Sequence, residues 1–285
     1  LADATITYAT SQCDMAANRD YWDAANEIYT TGFNPEQAVE NTLIVGRVTD
    51  ADAAVRLLLV NYACHPTTLA WDNTLLSPDF VGALREVIEH DQAAPCCFYQ
   101  APCGDLGPKD GFVGDTAVAD RNGKQVAHAA LSALYGMGAP QTDFTYAGPV
   151  VSGATIGTWT WSTHDATRQA ETALFAGSVT AVPLDLIDLP TTAALEKDLE
   201  QFSAEQTDAD SQGDTVAARN LGARAERCRR WLGRIALLPE GRTFPFSFSV
   251  HQLGDAVWIT CSAEPYSWLG DELRRRFPNL TLLIS

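Results

Sequence analysis

The run Val55-Arg-Leu-Leu-Leu-Val-Asn-Tyr-Ala63 is almost continuously apolar and is bounded by turn-forming residues. Such a run fits a strand covered on both faces, because a strand with one wet face would alternate. A sheet with layers on each side is therefore the first requirement on this fold. Thr5–Ala9 and Thr42–Val48 read as neighbouring strands, with Asp50-Ala-Asp52-Ala as a hairpin turn. Ser77-Pro78-Asp79 opens a helix with Pro in its first turn, and Phe80, Leu84, Val87 and Ile88 give that helix one apolar face. Cys96–Gln100 is the next strand. A loop rich in Gly and Pro follows from Ala101 to Gly114, and Asp115 or Thr116 then caps a long helix.

Further along, Phe144–Trp161 and Val179–Leu186 read as strands. Two amphipathic helices between Thr191 and Leu238 form a helical hairpin joined by a polar linker at Thr207–Gly213. Thr243–Leu253 alternates strictly, and a Gly254-Asp255 turn leads into the buried-type strand Ala256–Cys261. A helix over Pro265–Phe277 and a strand beginning at Leu280 close the chain. Strands mixed with long helices, without an internal repeat, predict an α/β (mixed α+β) fold: mixed sheets flanked by helices, with a helical-hairpin excursion around 191–238. No interdomain linker stands out, so a single domain over 1–285 is expected. The first residue is Leu1, and Leu280–Ser285 reads as a strand ending before its turn, so the domain is read as incomplete at both ends.

Composition narrows the partners. A net charge of −17 excludes nucleic acid as a default partner and opposes docking on an anionic membrane. With 46% hydrophobic and 19% charged residues, the chain is globular in character, and no apolar run approaches the ~18–20 residues of a membrane span. Seven cysteines, an odd number without a CxxC pair, fit reduced thiols better than a disulfide framework. Reduced thiols favour the cytoplasm, although an export signal would lie upstream of Leu1. The oligomeric state is left open.

Three loops share one design, in which an apolar strand ends and polar turn formers follow at once. They are Asn61–Thr68 with His65, Gln100–Pro108 with Gly104, Asp105 and Gly107, and Cys261–Tyr266 with Glu264. Sites in open α/β sheets lie beyond the carboxyl ends of such strands. His65 reads either as a ligand or as a hydrogen-bonded structural histidine. Glu264 reads either as a ligand or as a surface acid capping the next helix. His90, His128 and His251 read as structural or surface residues, and His164 is more open. One imidazole with carboxylates suits a divalent cation, zinc above all, yet two protein ligands are too few for a catalytic zinc.

The runs Asn61-Tyr-Ala-Cys-His65-Pro-Thr-Thr68, Ser77-Pro-Asp79-Phe-Val-Gly82, Gly104-Asp105-Leu-Gly107-Pro108 and Gly254-Asp255 through Ala263-Glu264-Pro265, in this order, resemble the neutral/alkaline non-lysosomal ceramidase family. Cys13-Asp-Met-Ala-Ala-Asn18-Arg19 is similar to the segment preceding that family's first core strands. The resemblance implies a zinc-dependent hydrolase of an amide (C–N) bond, with Zn2+ held by His65 and Glu264 and with a small-molecule or lipid amide as substrate. Its other two ligands, from a His-Thr-His motif and a later Tyr, have no counterpart in this sequence. The family's loop serine corresponds to Gly107, which removes the nucleophilic hydroxyl and leaves metal-bound water as the expected nucleophile. Asp105 is then expected to orient water or a ligand, beside Gly104 and Gly107 at the substrate. A catalytically silent member that binds a small ligand or partner is the alternative. A third reading, Cys103 as nucleophile, requires a depressed thiol pKa.

Overall fold

The computed structural model describes residues 3–71 and 73–285. Among these the strands are β1 (Thr5–Gln12), β2 (Ala16–Asn18), β3 (Asp20–Asp23), β4 (Ile28–Thr31), β5 (Thr42–Thr49), β6 (Val55–Tyr62), β7 (Cys96–Gln100), β8 (Leu106–Pro108), β9 (Thr142–Ser152), β10 (Ala154–Thr163), β11 (Phe175–Asp185), β12 (Thr243–Leu253), β13 (Ala256–Cys261) and β14 (Thr281–Ile284). The helices are α1 (Phe80–Gln92), α2 (Thr116–Tyr135), α3 (Ala166–Thr172), α4 (Thr192–Ser211), α5 (Thr215–Ala236) and α6 (Ser267–Arg276). The fold is mixed α/β, with two four-stranded sheets in the orders β1-β5-β6-β7 and β11-β12-β13-β14.

The apolar run of β6 is covered on both sides. Leu58, Val60 and Tyr62 enter a core with Leu84 and Ile88 of α1 and Val126, Ala130 and Leu134 of α2. On the opposite face, Ile44 of β5 packs with Ala256 and Leu283 of the second sheet, joined by Tyr8 and Trp258. Trp258 donates its indole N–H to the Tyr8 hydroxyl at 3.0 Å and meets the Tyr99 ring edge-on at 5.2 Å. Burying one Leu or Val of this kind contributes about 1.5–3 kcal/mol. The layer order is helices, sheet, sheet.

Where α1 and α2 cross, Gly123 permits the contact. A Cβ there would lie 2.2 Å from the Phe80 carbonyl oxygen, so a residue that is unfavourable in a helix by roughly 1 kcal/mol is required sterically. Asp79 caps α1 at φ +56°, accepting from Phe80 N at 2.7 Å and from Leu69 N at 2.8 Å. These bonds hold the strained backbone and tie the His65 loop to the helix.

Contacts divide the chain into two units, residues 1–179 with 248–285, and Thr180–Ser247. The second unit consists largely of α4 and α5, with Leu195, Ala209, Ala218, Ala225 and Cys228 buried. The polar linker expected at Thr207–Gly213 is mostly helix, because α4 continues to Ser211. Hydroxyls of Thr207 and Ser211 donate to the carbonyls of Ser203 and Asp208, so polar side chains are satisfied without leaving the helix. The turn is confined to the residues around Gly213, at φ +74°.

Candidate functional site

β6 and β7 run parallel, and their carboxyl ends open at one edge of the first sheet. The chain leaves β6 at Tyr62, whose hydroxyl donates to Cys13 O at 2.8 Å and accepts from Ala16 N at 2.9 Å. Cys64 is fully buried, and the His65 side chain retains 14% of its exposure. His65 Nδ1 faces two carbonyl oxygens, Cys103 O at 2.7 Å and Leu106 O at 3.1 Å. Both are acceptors, so Nδ1 carries the hydrogen, and Nε2 is the ring atom left to bind a proton or a metal.

That Nε2 lies 3.7 Å from Oε2 of Glu264. The glutamate follows β13, and its carboxylate is largely open to solvent. A neutral imidazole lone pair and a carboxylate repel at this distance unless a positive charge stands between them, either a proton on Nε2 or a metal ion.

Glycine makes the meeting of the two loops possible. A Cβ on Gly104 would lie 2.7 Å from the Tyr266 ring and 2.9 Å from Glu264 O, and Gly104 N donates to Pro265 O at 2.9 Å. Arg19 fastens the same loop, donating from Nη2 to Gly104 O at 2.8 Å and from its backbone N to Asp105 O at 2.9 Å.

Asp105 is buried, and both carboxylate oxygens are occupied. Oδ1 accepts from Ser267 N at 2.7 Å, and Oδ2 accepts from the Ser267 hydroxyl at 2.8 Å, with Asn18 Nδ2 at 3.4 Å. Asp105 therefore caps the start of α6, where a carboxylate also meets the positive end of the helix dipole. Tyr266, at the cap position itself, makes no side-chain cap bond. The capping duty weighed for Glu264 falls to Asp105, which leaves Glu264 turned toward His65. In this arrangement Asp105 positions the loop, holding the first turn of α6 through both of its oxygens.

Gly107 lies in β8, opposite Ala17 of β2. Its virtual Cβ meets nothing closer than Thr67 Oγ1 at 3.5 Å, so packing does not impose glycine here. Thr67 Oγ1 is itself buried without a hydrogen-bond partner. Cys103 is buried, and burial pushes its thiol up to about 11, so it lacks the thiolate that nucleophilic attack needs. The thiol reading fails on that point. The fit to zinc is sound but partial. A lone-pair imidazole nitrogen and a carboxylate oxygen are ordinary zinc donors, and 3.7 Å is less than twice the ~2.0–2.2 Å bond that each makes. Among the described residues no group of three or more His, Cys, Asp or Glu side chains is placed to share one ion.

Ser267 and Arg19 support the site although neither belongs to the strand-end motifs that mark it. Ser267 could have been found from its place two residues after Pro265, where α6 begins without a capping side chain of its own. Arg19 acts from a segment 85 positions before the loop it holds, and no local pattern announces that.

No protein-family profile and no curated protein matches this sequence. Among solved structures, a ceramidase complexed with C2 superposes with a TM-score of 0.51 at 14% identity, covering 99% of this chain and 46% of that one. The neutral ceramidase from Pseudomonas aeruginosa gives the same TM-score and identity, with 99% and 44% covered. The chain thus spans less than half the length of either protein. Its fold is ceramidase-like.

Proposed function

We propose that the chain carries part of a zinc-dependent amide hydrolase site of the ceramidase kind, with His65 and Glu264 as two of the metal's ligands and a lipid amide as substrate. The carrying observation is His65 Nε2 facing the Glu264 carboxylate at 3.7 Å, with Nδ1 already committed to two carbonyls. A zinc ion bound there would polarise a carbonyl and lower the pKa of a water to about 7. The remaining donors of a tetrahedral site would come from water and from groups beyond these two side chains.

The chain's own residues do the rest. The carbonyls of Cys103 and Leu106 fix the imidazole's tautomer and ring orientation, the usual outer-shell support of a metal-bound histidine. Asp105 and Arg19 hold the Gly104 loop against the Glu264 loop, so that the carboxylate stays within reach of His65.

A second reading has its own support. Gly107 stands where the resembled family has a serine, and nothing packed around it forbids a side chain. A metal-bound but catalytically silent protein that retains ligand binding would look the same. Incubating the protein with N-acyl sphingoid and simpler acyl amides, with and without chelator, separates the two. Hydrolysis lost on chelation and restored by zinc supports the enzyme. Amide binding without turnover supports the silent member, and turnover indifferent to chelation contradicts the zinc reading.

A further inference from the structure

The twenty residues from Phe144 to Thr163 contain no Asp, Glu, Lys or Arg, in a chain where 19% of residues are charged. They form the β9–β10 hairpin, a two-stranded ribbon turning at Gly153 with φ +72°. Nearly all of it is exposed. An uncharged, exposed ribbon with open edges is what soluble proteins avoid, unless something covers it.

Its side chains are graded along its length. At the tip stand the aliphatic Val150, Val151 and Ile156, with Val151 85% exposed. Next come four aromatic rings in cross-strand pairs, Tyr146 opposite Trp159 and Phe144 opposite Trp161. Their centroids lie 5.2–5.9 Å apart along the series Trp161, Phe144, Trp159, Tyr146, and about half of each side chain is in solvent. At the base the charges return. Asp143 and Asp255 are bridged by Arg168, which makes a two-pronged contact with Asp255 at 2.7 and 2.8 Å and reaches Asp143 at 3.1 Å.

Aliphatic tip, aromatic middle and charged base follow the polarity profile of a bilayer boundary, where Trp and Tyr settle at headgroup depth. We propose that the β9–β10 hairpin docks this protein on a zwitterionic phospholipid surface, with Val150, Val151 and Ile156 entering the boundary and the aromatic rings lying among the headgroups. Entry stays shallow, since an open two-stranded ribbon has edge N–H and C=O groups that need water or headgroup partners. The lipid is zwitterionic because a chain of net charge −17 is repelled by anionic headgroups and the ribbon offers no cation to attract them. This inference does not depend on the zinc reading.

The test is co-flotation of the full chain with phosphatidylcholine vesicles, read alongside tryptophan emission and quenching by brominated lipid. The unmodified protein is expected to float with the vesicles and shift its emission to the blue. Val151→Asp and Ile156→Asp, on exposed side chains and with unchanged circular dichroism, should partition at least about tenfold less. Exchanging part of the lipid for phosphatidylserine should weaken binding further. Failure to float, or flotation unaltered by both Asp variants, overturns the proposal. Concentration-dependent dimers dispersed by Val151→Asp would overturn it too, by showing that a second copy covers the ribbon.

Discussion

The carboxylate of Asp105 lies 2.7 Å from the backbone nitrogen of Ser267 and 2.8 Å from its hydroxyl, a link across 162 positions of sequence. It joins the loop after β7 to the first turn of α6, and Glu264 sits between the two. Asp105→Ala strips the cap from the half-buried Ser267 N–H, which costs about 0.5–2 kcal/mol. Ser267→Ala loses one hydroxyl bond and should cost about 1 kcal/mol. The double variant, compared with the sum of the singles by urea denaturation, should show a coupling of about 0.5 kcal/mol or more. Additive losses would mean that the two residues do not act as one cap.

Gly107 permits a direct reintroduction of the serine. Gly107→Ser is expected to leave the unfolding free energy from urea denaturation within about 0.5 kcal/mol of the parent, since the nearest atom to a new Cβ is Thr67 Oγ1 at 3.5 Å. Amide hydrolysis by Gly107→Ser should exceed that of the parent. A loss of several kcal/mol would show that the strand around Gly107 is tighter than its geometry indicates.

Burial holds the Cys103 thiol near 11 and raises that of Cys64 as well, whereas Cys97 is exposed. A thiol reagent applied to the native protein at neutral pH should therefore modify Cys97 first and leave Cys103 and Cys64 untouched until the chain unfolds. Peptide mapping of the labelled protein checks the order. Rapid native labelling of Cys103 would reopen a thiol mechanism.

On α6, the carboxyl of Asp271 is pushed up to about 6, first by burial and then by the neighbouring Glu40 carboxylate. The folded protein holds a proton there that the unfolded chain releases near pH ~4. The stability from that proton is complete below about pH 4 and is lost as pH rises through about 6. Asp271→Asn, neutral at every pH, should melt above the parent at about pH 7.5, with the gap narrowing toward about pH 5. A constant gap across that range would contradict the raised value.

Much of this fold can be read from local pattern. The β6 run announced a strand buried on both faces, and Leu58, Val60 and Ile44 show why, with helices on one side and a second sheet on the other. Asp115 marked a helix start because capping is a one-residue signal, whereas Pro78, read into the first turn of α1, lies just before its cap Asp79. The short strands β2 and β8 were hidden, since three residues paired across 90 positions leave no periodicity. At the site, residue types and strand-end loops pointed to His65 and Glu264. The role of Asp105 did not follow from its Gly-Asp turn, because its partner Ser267 is remote in sequence. Nor could sequence reveal that Nδ1 of His65 is occupied, as its partners are backbone carbonyls that every residue carries.

The central claim is that His65 and Glu264 share one cation. Isothermal titration of the metal-stripped protein with zinc, followed by elemental analysis after dialysis, tests it most directly. One zinc per chain is expected, with affinity falling at least about tenfold in His65→Ala and in Glu264→Gln. No stoichiometric uptake, or uptake that neither substitution weakens, would contradict the account.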